Sequence, residues 1–214
     1  MRLFVLIYSE QFFGLLMLFR TFAKSLKNCF MSKISQTENS VYTKSTIDFV
    51  TVSKTFCDLM DQLESINKDL FVDSMLRLLP LVYLKAGLLP ENELISDDDQ
   101  ETFATEEQYS DLSQTILNLM GTDNAYLEVF SPEISYSDTP VTSFISENIA
   151  DIWQDLFNFI SVYHLGNDET MNDALFICHT NFKQFWGQSL VNVLRALHSC
   201  KYSISEKEEG KEEF

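Results

Sequence analysis

Glycine and proline are scarce in this sequence, with six and four residues among 214. Both residues interrupt regular structure, so their scarcity favours long elements over a turn-rich fold. No segment alternates convincingly between apolar and polar residues, which argues against a sheet. Apolar residues make up 45% of the chain and charged residues 22%, the balance of a globular protein. We therefore expect one all-α domain with a substantial core.

Basic residues are missing from the middle of the chain. No Lys or Arg occurs between Lys85 and Lys183, whereas the same stretch contains nineteen Asp and Glu, and the formal net charge is −17. Such a surface repels phosphate backbones and anionic lipid headgroups. We expect no nucleic-acid partner, because a basic protein surface or a cation matches this charge better.

Several catalytic motifs are also absent. A di-iron helical bundle needs Glu-x-x-His pairs, but no Glu lies three residues before any of the three histidines. No glycine-rich phosphate loop is present. Cys178 and His179 are neighbours in sequence, so they point in different directions on a helix and do not form a dyad. No catalytic residue and no cofactor is therefore predicted.

The cysteines lack the spacing of a metal site. No pair has C-x-x-C spacing, and three of the four lie within apolar helical patterns. This pattern is typical of reduced, buried thiols in a cytoplasmic protein rather than of a disulfide framework or a zinc site. The cysteines are Cys29, Cys57, Cys178 and Cys200.

What the sequence does contain is helical periodicity in five segments. Apolar residues recur there at intervals of three and four, which predicts a bundle of about five helices. The predicted ranges are 45–66, 69–87, 105–121, 143–164 and 168–197. The second is apolar nearly all round, so we expect it to be the central helix. An irregular, aromatic-rich connection of roughly twenty residues joins the third helix to the fourth.

Capping residues mark several of these ends. Ser45 and Asp168 are candidate N-caps of the first and fifth helices, and Thr105 with Gln108 has the spacing of a capping box. Gly121 is expected to end the third helix, and Gly187 suggests a bend within the fifth. The acidic run 97–99 lacks the alternating ligands of a calcium loop, so it is interpreted as a solvated loop.

The two termini differ from this body. Residues 1–30 are basic and rich in Phe and Leu, but Glu10 interrupts the apolar run near its middle. We expect the native protein to begin at Met31, with a membrane-associated leader as the alternative. The helical domain is then 31–203, and the acidic tail 204–214 is predicted to be disordered. A membrane partner is expected only if residues 1–30 are present.

The fourth helix carries the candidate partner-binding residues. Glu147, Asp151 and Asp155 recur every four residues. Glu147 and Asp151 lie opposite a broad apolar arc, whereas Asp155 and Asn148 lie close to its boundary. Like charges at this spacing cost only a few tenths of a kcal/mol, so a solvated face tolerates them without a functional reason. We predict that these four residues contact a basic protein partner.

Metal binding is the alternative function for these acids. Glu169 and Asp173 form a second acidic pair, and paired acids on two helices are typical of magnesium-dependent nucleotide pyrophosphohydrolases. In an antiparallel hairpin, however, the rise of 1.5 Å per residue places Glu147 and Glu169 more than ~20 Å apart along the axis. Only Asp155 and Asp173 could approach each other, so no metal ligands are assigned.

Two sequence blocks resemble a known family. These are LRLLPLVYLKAGLLP at 76–90 and the stretch from YSDTPV to VNVLRALH at 136–198. They resemble a family of uncharacterised bacterial proteins known only as a domain of unknown function, over roughly residues 41–202. The resemblance implies a small cytoplasmic helical domain and supplies no activity, ligand or catalytic residue. The leading hypothesis is a non-enzymatic domain that binds a protein partner.

Overall fold

The computed structural model describes residues 40–96, 101–128 and 141–203. The leader, the acidic run 97–99, the centre of the connection between the third and fourth helices, and the tail lie outside these ranges. The described helices are α1 (Lys44–Met60), α2 (Lys68–Ala86), α3 (Glu106–Met120), α4 (Ile145–Tyr163), α5 (Asp168–Asn181) and α6 (Gly187–Tyr202). None of the helices in these ranges is long and apolar enough to cross a membrane.

The mainly helical architecture predicted from the sequence is confirmed. The predicted fifth helix corresponds to α5 and α6, which are joined without a break by the π-helical segment Phe182–Trp186. The Gly187 backbone N–H bonds to the Phe182 carbonyl, five residues earlier. A Cβ atom at Gly187 would contact that carbonyl and come within 2.9 Å of the Phe182 ring. Glycine is therefore required where the wider turn closes.

Helix α4, and not α2, is the central helix. It packs against α1, α3, α5 and α6, whereas α2 packs chiefly against α1 and α6. The predicted apolar arc of α4 is buried, and Val162, on the nominally polar side, is only 1% exposed. The expectation that α2 is central was wrong, because its outer face is apolar but uncovered in the described residues.

A small hairpin replaces part of the connection predicted to be irregular. Strand β1 (Ala125–Glu128) pairs antiparallel with β2 (Val141–Phe144), and Ala125 lies opposite Phe144. The buried Asn124 side chain accepts a hydrogen bond from the Ser146 backbone N–H at 2.9 Å and donates one to the Ser146 hydroxyl at 3.0 Å. These bonds fix the hairpin to the first turn of α4.

The caps confirm some predictions and correct others. Thr105 and Gln108 form a capping box, and Gly121 follows α3 with φ of 59°. Thr43, rather than Ser45, caps α1, because its extended backbone lets its hydroxyl accept from the Thr46 N–H. At α5 the neighbouring Asn167 side chain is the cap instead of Asp168.

Candidate interaction surface

The acids of α4 line a polar seam between this helix and its neighbours. Glu147 is exposed, whereas Asn148, Asp151 and Asp155 are all of intermediate exposure. The last three each have a side-chain partner on another element. The sequence therefore predicts their alignment on one side of α4, but that side is mostly covered.

Asp151 and Asn148 hold α4 against α3 and the hairpin. The Tyr109 hydroxyl donates to Asp151 at 2.8 Å, and the Asn148 amide donates to the Tyr126 hydroxyl at 2.5 Å. Burial raises the pKa of the Asp151 carboxyl, and the hydrogen bond from Tyr109 partly opposes this rise. Burial, followed by the hydrogen bond to Asp151, raises the pKa of Tyr109. Asp151 thus acts as an internal acceptor.

Asp155 faces α5. The Asn181 amide donates to its carboxylate at 2.6 Å. Burial is the main cause of its raised pKa, while the Asn181 hydrogen bond lowers the pKa and the Asp151 charge raises it. A cavity of about 220 Å³ lies beside it, lined in part by Asn158 and Cys178. Burial raises the pKa of the Cys178 thiol well above its usual value, so its surroundings do not favour the reactive thiolate.

Asp155 and Asp173 have separate partners. Asp173 is 7% exposed and accepts the backbone N–H groups of Ile95 at 2.8 Å and Ser96 at 2.9 Å. Asp173 therefore anchors the segment that follows α2, whereas Asp155 pairs with Asn181. Within the described residues, no group of three or more His, Cys, Asp or Glu side chains is placed to hold a metal ion.

Asn158 is a structural residue that the sequence does not single out. Its side-chain oxygen accepts the backbone N–H groups of both Phe103 and Ala104 at 2.8 Å. These residues immediately precede the cap of α3, so Asn158 fixes the start of that helix against α4. Polar spacing on α4 was the only sequence signal for it, because its partners lie in a segment with no periodicity.

The exposed acids are found chiefly around α3. A groove of about 260 Å³ lies between α3 and the 3-10 turn Leu63–Ser65. Its walls include the carboxylates of Asp61, Glu64 and Asp111, and Trp153 contributes to its apolar lining. None of these three carboxylates makes an ion pair within the described residues. The sequence did not locate this acidic groove, because the groove joins three separate chain segments.

A second cavity, between the hairpin and α6, includes the side chains of Arg195 and Cys200 in its lining and measures about 420 Å³. Cys200 is exposed, which corrects the expectation that the helical cysteines are all buried. Its thiol pKa is raised, first by partial burial and then by the Asp123 charge. The thiol is therefore not activated as a nucleophile.

Comparisons with known proteins identify the family. A model described as a domain of unknown function, DUF5063, matches residues 40–203. The chain is also similar to the crystal structure of protein BF1032 from Bacteroides fragilis, with 43% sequence identity and a TM-score of 0.70. That match covers 78% of this chain and 98% of the other. A comparison with curated proteins finds no match. The chain belongs to the DUF5063 family of uncharacterised domains.

Proposed function

We propose that this protein is a non-enzymatic bacterial domain that binds a basic surface of a protein partner through the acidic groove beside α3. One observation supports this most directly. The carboxylates of Asp61, Glu64 and Asp111 surround one apolar-lined groove and form no ion pair with any residue that the structure describes. Lysine and arginine side chains combine a positive end with an apolar stem, so they match both parts of such a groove.

The α4 residues have two roles in this proposal. Glu147 is exposed and lines a further groove of about 380 Å³ along α3, together with Ser113 and Leu117. It can therefore contact a partner directly. Asn148, Asp151 and Asp155 support the surface from beneath, because their hydrogen bonds hold α3, the hairpin and α5 in place.

The proposed location is the cytoplasm. Cys57 and Cys178 are both buried and unpaired, as expected for a protein in a reducing compartment. The alternative function, a magnesium- or manganese-dependent nucleotide hydrolase, receives no support from the described carboxylates. Asp151, Asp155 and Asp173 each satisfy hydrogen bonds from the protein itself.

The test is affinity capture with the immobilised full chain, with the retained proteins identified by mass spectrometry. The groove variant combines Asp61→Asn, Glu64→Gln and Asp111→Asn. The control variant combines Asp69→Asn, Glu101→Gln and Glu169→Gln. It removes the same number of negative charges, at exposed residues that do not line this groove. We expect a basic protein to be retained by wild type and control, and to be lost with the groove variant and at high salt. Equal retention by both variants, or retention independent of salt, contradicts the proposal.

A further inference from the structure

The outer face of α2 carries an uncovered apolar stripe. Leu81, Leu84 and Leu88 are 40%, 55% and 46% exposed, and Pro80 beside them is also exposed. The helical turns continue past the end of α2, because Leu88 and Leu89 donate backbone hydrogen bonds to Lys85 and Ala86. The three leucines therefore follow one another along a single side of the helix.

Neighbouring helices already occupy the flanks of this stripe. Lys85 forms an ion pair with Asp48 of α1 at 2.8 Å. On the other flank, Asp73 pairs with Lys201 of α6, and the Tyr83 ring meets Phe182 edge-on at 5.1 Å. The stripe lies between these contacts and stays exposed among the described residues.

The spacing of the stripe suits another helix. Arg77, Leu81, Leu84 and Leu88 are separated by four, three and four residues. This is the interval of a narrow helix–helix seam, in which side chains of one helix fill gaps between those of its partner. A flat or extended partner would not require this periodicity.

The charge pattern makes the stripe complementary to itself. Arg77 lies at one end and makes no ion pair within the described residues, while the exposed Glu93 lies beyond the other end. In an antiparallel two-fold arrangement centred near Leu84, the basic end of each copy meets the acidic end of the other. A parallel arrangement would place like charges together.

Self-association is also least opposed by charge at this surface. The protein has a net charge of −17, but residues 74–90 contain no Asp or Glu. Two copies that meet along residues 74–90 bring no carboxylate of that stretch into the contact. Repulsion between the remaining charges is screened beyond about 8 Å at physiological salt.

We propose that two copies of this chain associate through α2, antiparallel about a two-fold axis near Leu84. The contact is separate from the groove beside α3 and does not depend on the proposed function. The two interactions respond to salt in opposite directions. Salt weakens binding of a basic partner to the acidic groove. It strengthens contact between two copies of this chain, because the screened repulsion between two chains of net charge −17 exceeds the screened attraction of two Arg77–Glu93 pairs.

Sedimentation equilibrium of the full chain over a range of protein and salt concentrations tests the proposal. We expect a monomer–dimer equilibrium whose dissociation constant falls as salt rises. Leu84→Glu should raise that constant by at least about thirtyfold, because it places a charge at the centre of both halves of the interface. Leu165→Glu is the matched control, since Leu165, which lies between α4 and α5, has a similar exposure of 57%, and it should leave the constant unchanged.

Two further measurements identify the occupant of the stripe. Arg77→Glu and Glu93→Arg should each weaken the dimer, and the double variant should restore it. A photo-crosslinking residue at position 84, in a mixture of isotopically light and heavy chains, should link α2 of one copy to α2 of the other. A monomer at every concentration, equal effects of the two leucine variants, or cross-links to residues 1–39 would overturn the proposal.

Discussion

Asn158 should contribute about 2 kcal/mol to the free energy of unfolding, although the sequence does not single it out. Its side-chain oxygen accepts two backbone N–H groups, from Phe103 and Ala104, each at 2.8 Å. A neutral hydrogen bond contributes roughly 1 kcal/mol net, so Asn158→Ala loses about 2 kcal/mol. For a domain of this size that loss lowers Tm by about 4–8 °C.

The assay combines urea unfolding with hydrogen exchange of individual backbone amides. In Asn158→Ala, exchange at Phe103 and Ala104 should accelerate, because their N–H groups lose their acceptor. Asn158→Asp retains acceptor oxygens and should lose less stability, apart from a few tenths of a kcal/mol of repulsion with Asp155. Asn118→Ala is the control, because Asn118 accepts one bond from Gln114 on an exposed surface.

Either of two results contradicts this role of Asn158. If Asn158→Ala is as stable as Asn118→Ala, the two hydrogen bonds contribute nothing measurable. If stability falls while exchange at Phe103 and Ala104 is unchanged, the loss arises elsewhere, and Asn158 does not fix the start of α3.

Three further variants test polar side chains that are buried or partly buried. Ser53 is fully buried and its hydroxyl has no partner among the described residues, so Ser53→Ala should raise the free energy of unfolding by about 1–2 kcal/mol. Thr46→Val should lower the free energy of unfolding, because the Thr46 hydroxyl donates a hydrogen bond to the Ser40 carbonyl at 2.7 Å. Urea unfolding measures both variants, and a change of the same sign in both contradicts this prediction. Burial raises the folded-state pKa of Asp155, so its contribution to stability is greatest below the unfolded value of ~3.9 and declines as pH rises through the folded pKa. As the pH rises through that range, Asp155→Asn should therefore become more stable relative to wild type. If wild type instead gains stability relative to the variant as the pH rises, the Asp155 pKa is not raised in the folded state.

The helices could be predicted because their signals are local. Thr105 and Gln108 are three residues apart, so a capping box is visible in the sequence and is present in the structure. The buried arc of α4 follows from its periodicity in the same way. The π-helical segment could not be predicted, although Gly187 marked its end, because nothing local distinguishes a π turn from an α-helical bend.

Which helix is central could not be predicted from periodicity. The sequence of α2 is apolar nearly all round, and such a helix is normally buried on every side. The covered helix is α4, whose polar side chains are satisfied by Tyr109, Asn181 and the backbone before α3. The hydrophobicity of a helix face indicates whether burial of that face is favourable. It does not indicate whether the polar side chains of a helix have hydrogen-bond partners in the fold.

The positions of α2 and α4 determine where the two proposed contacts lie. Three of the four polar residues predicted on α4 are engaged internally, so most of that helix is not available for charge-driven contact. The exposed acids around α3 remain available to a basic partner. The apolar surface of α2 contains no acid between Asp73 and Glu91, and so it suits a helix with the same pattern. The acidic surface around α3 and the apolar surface of α2 are therefore separate. Rising salt should weaken binding at the acidic surface and strengthen association at the apolar one.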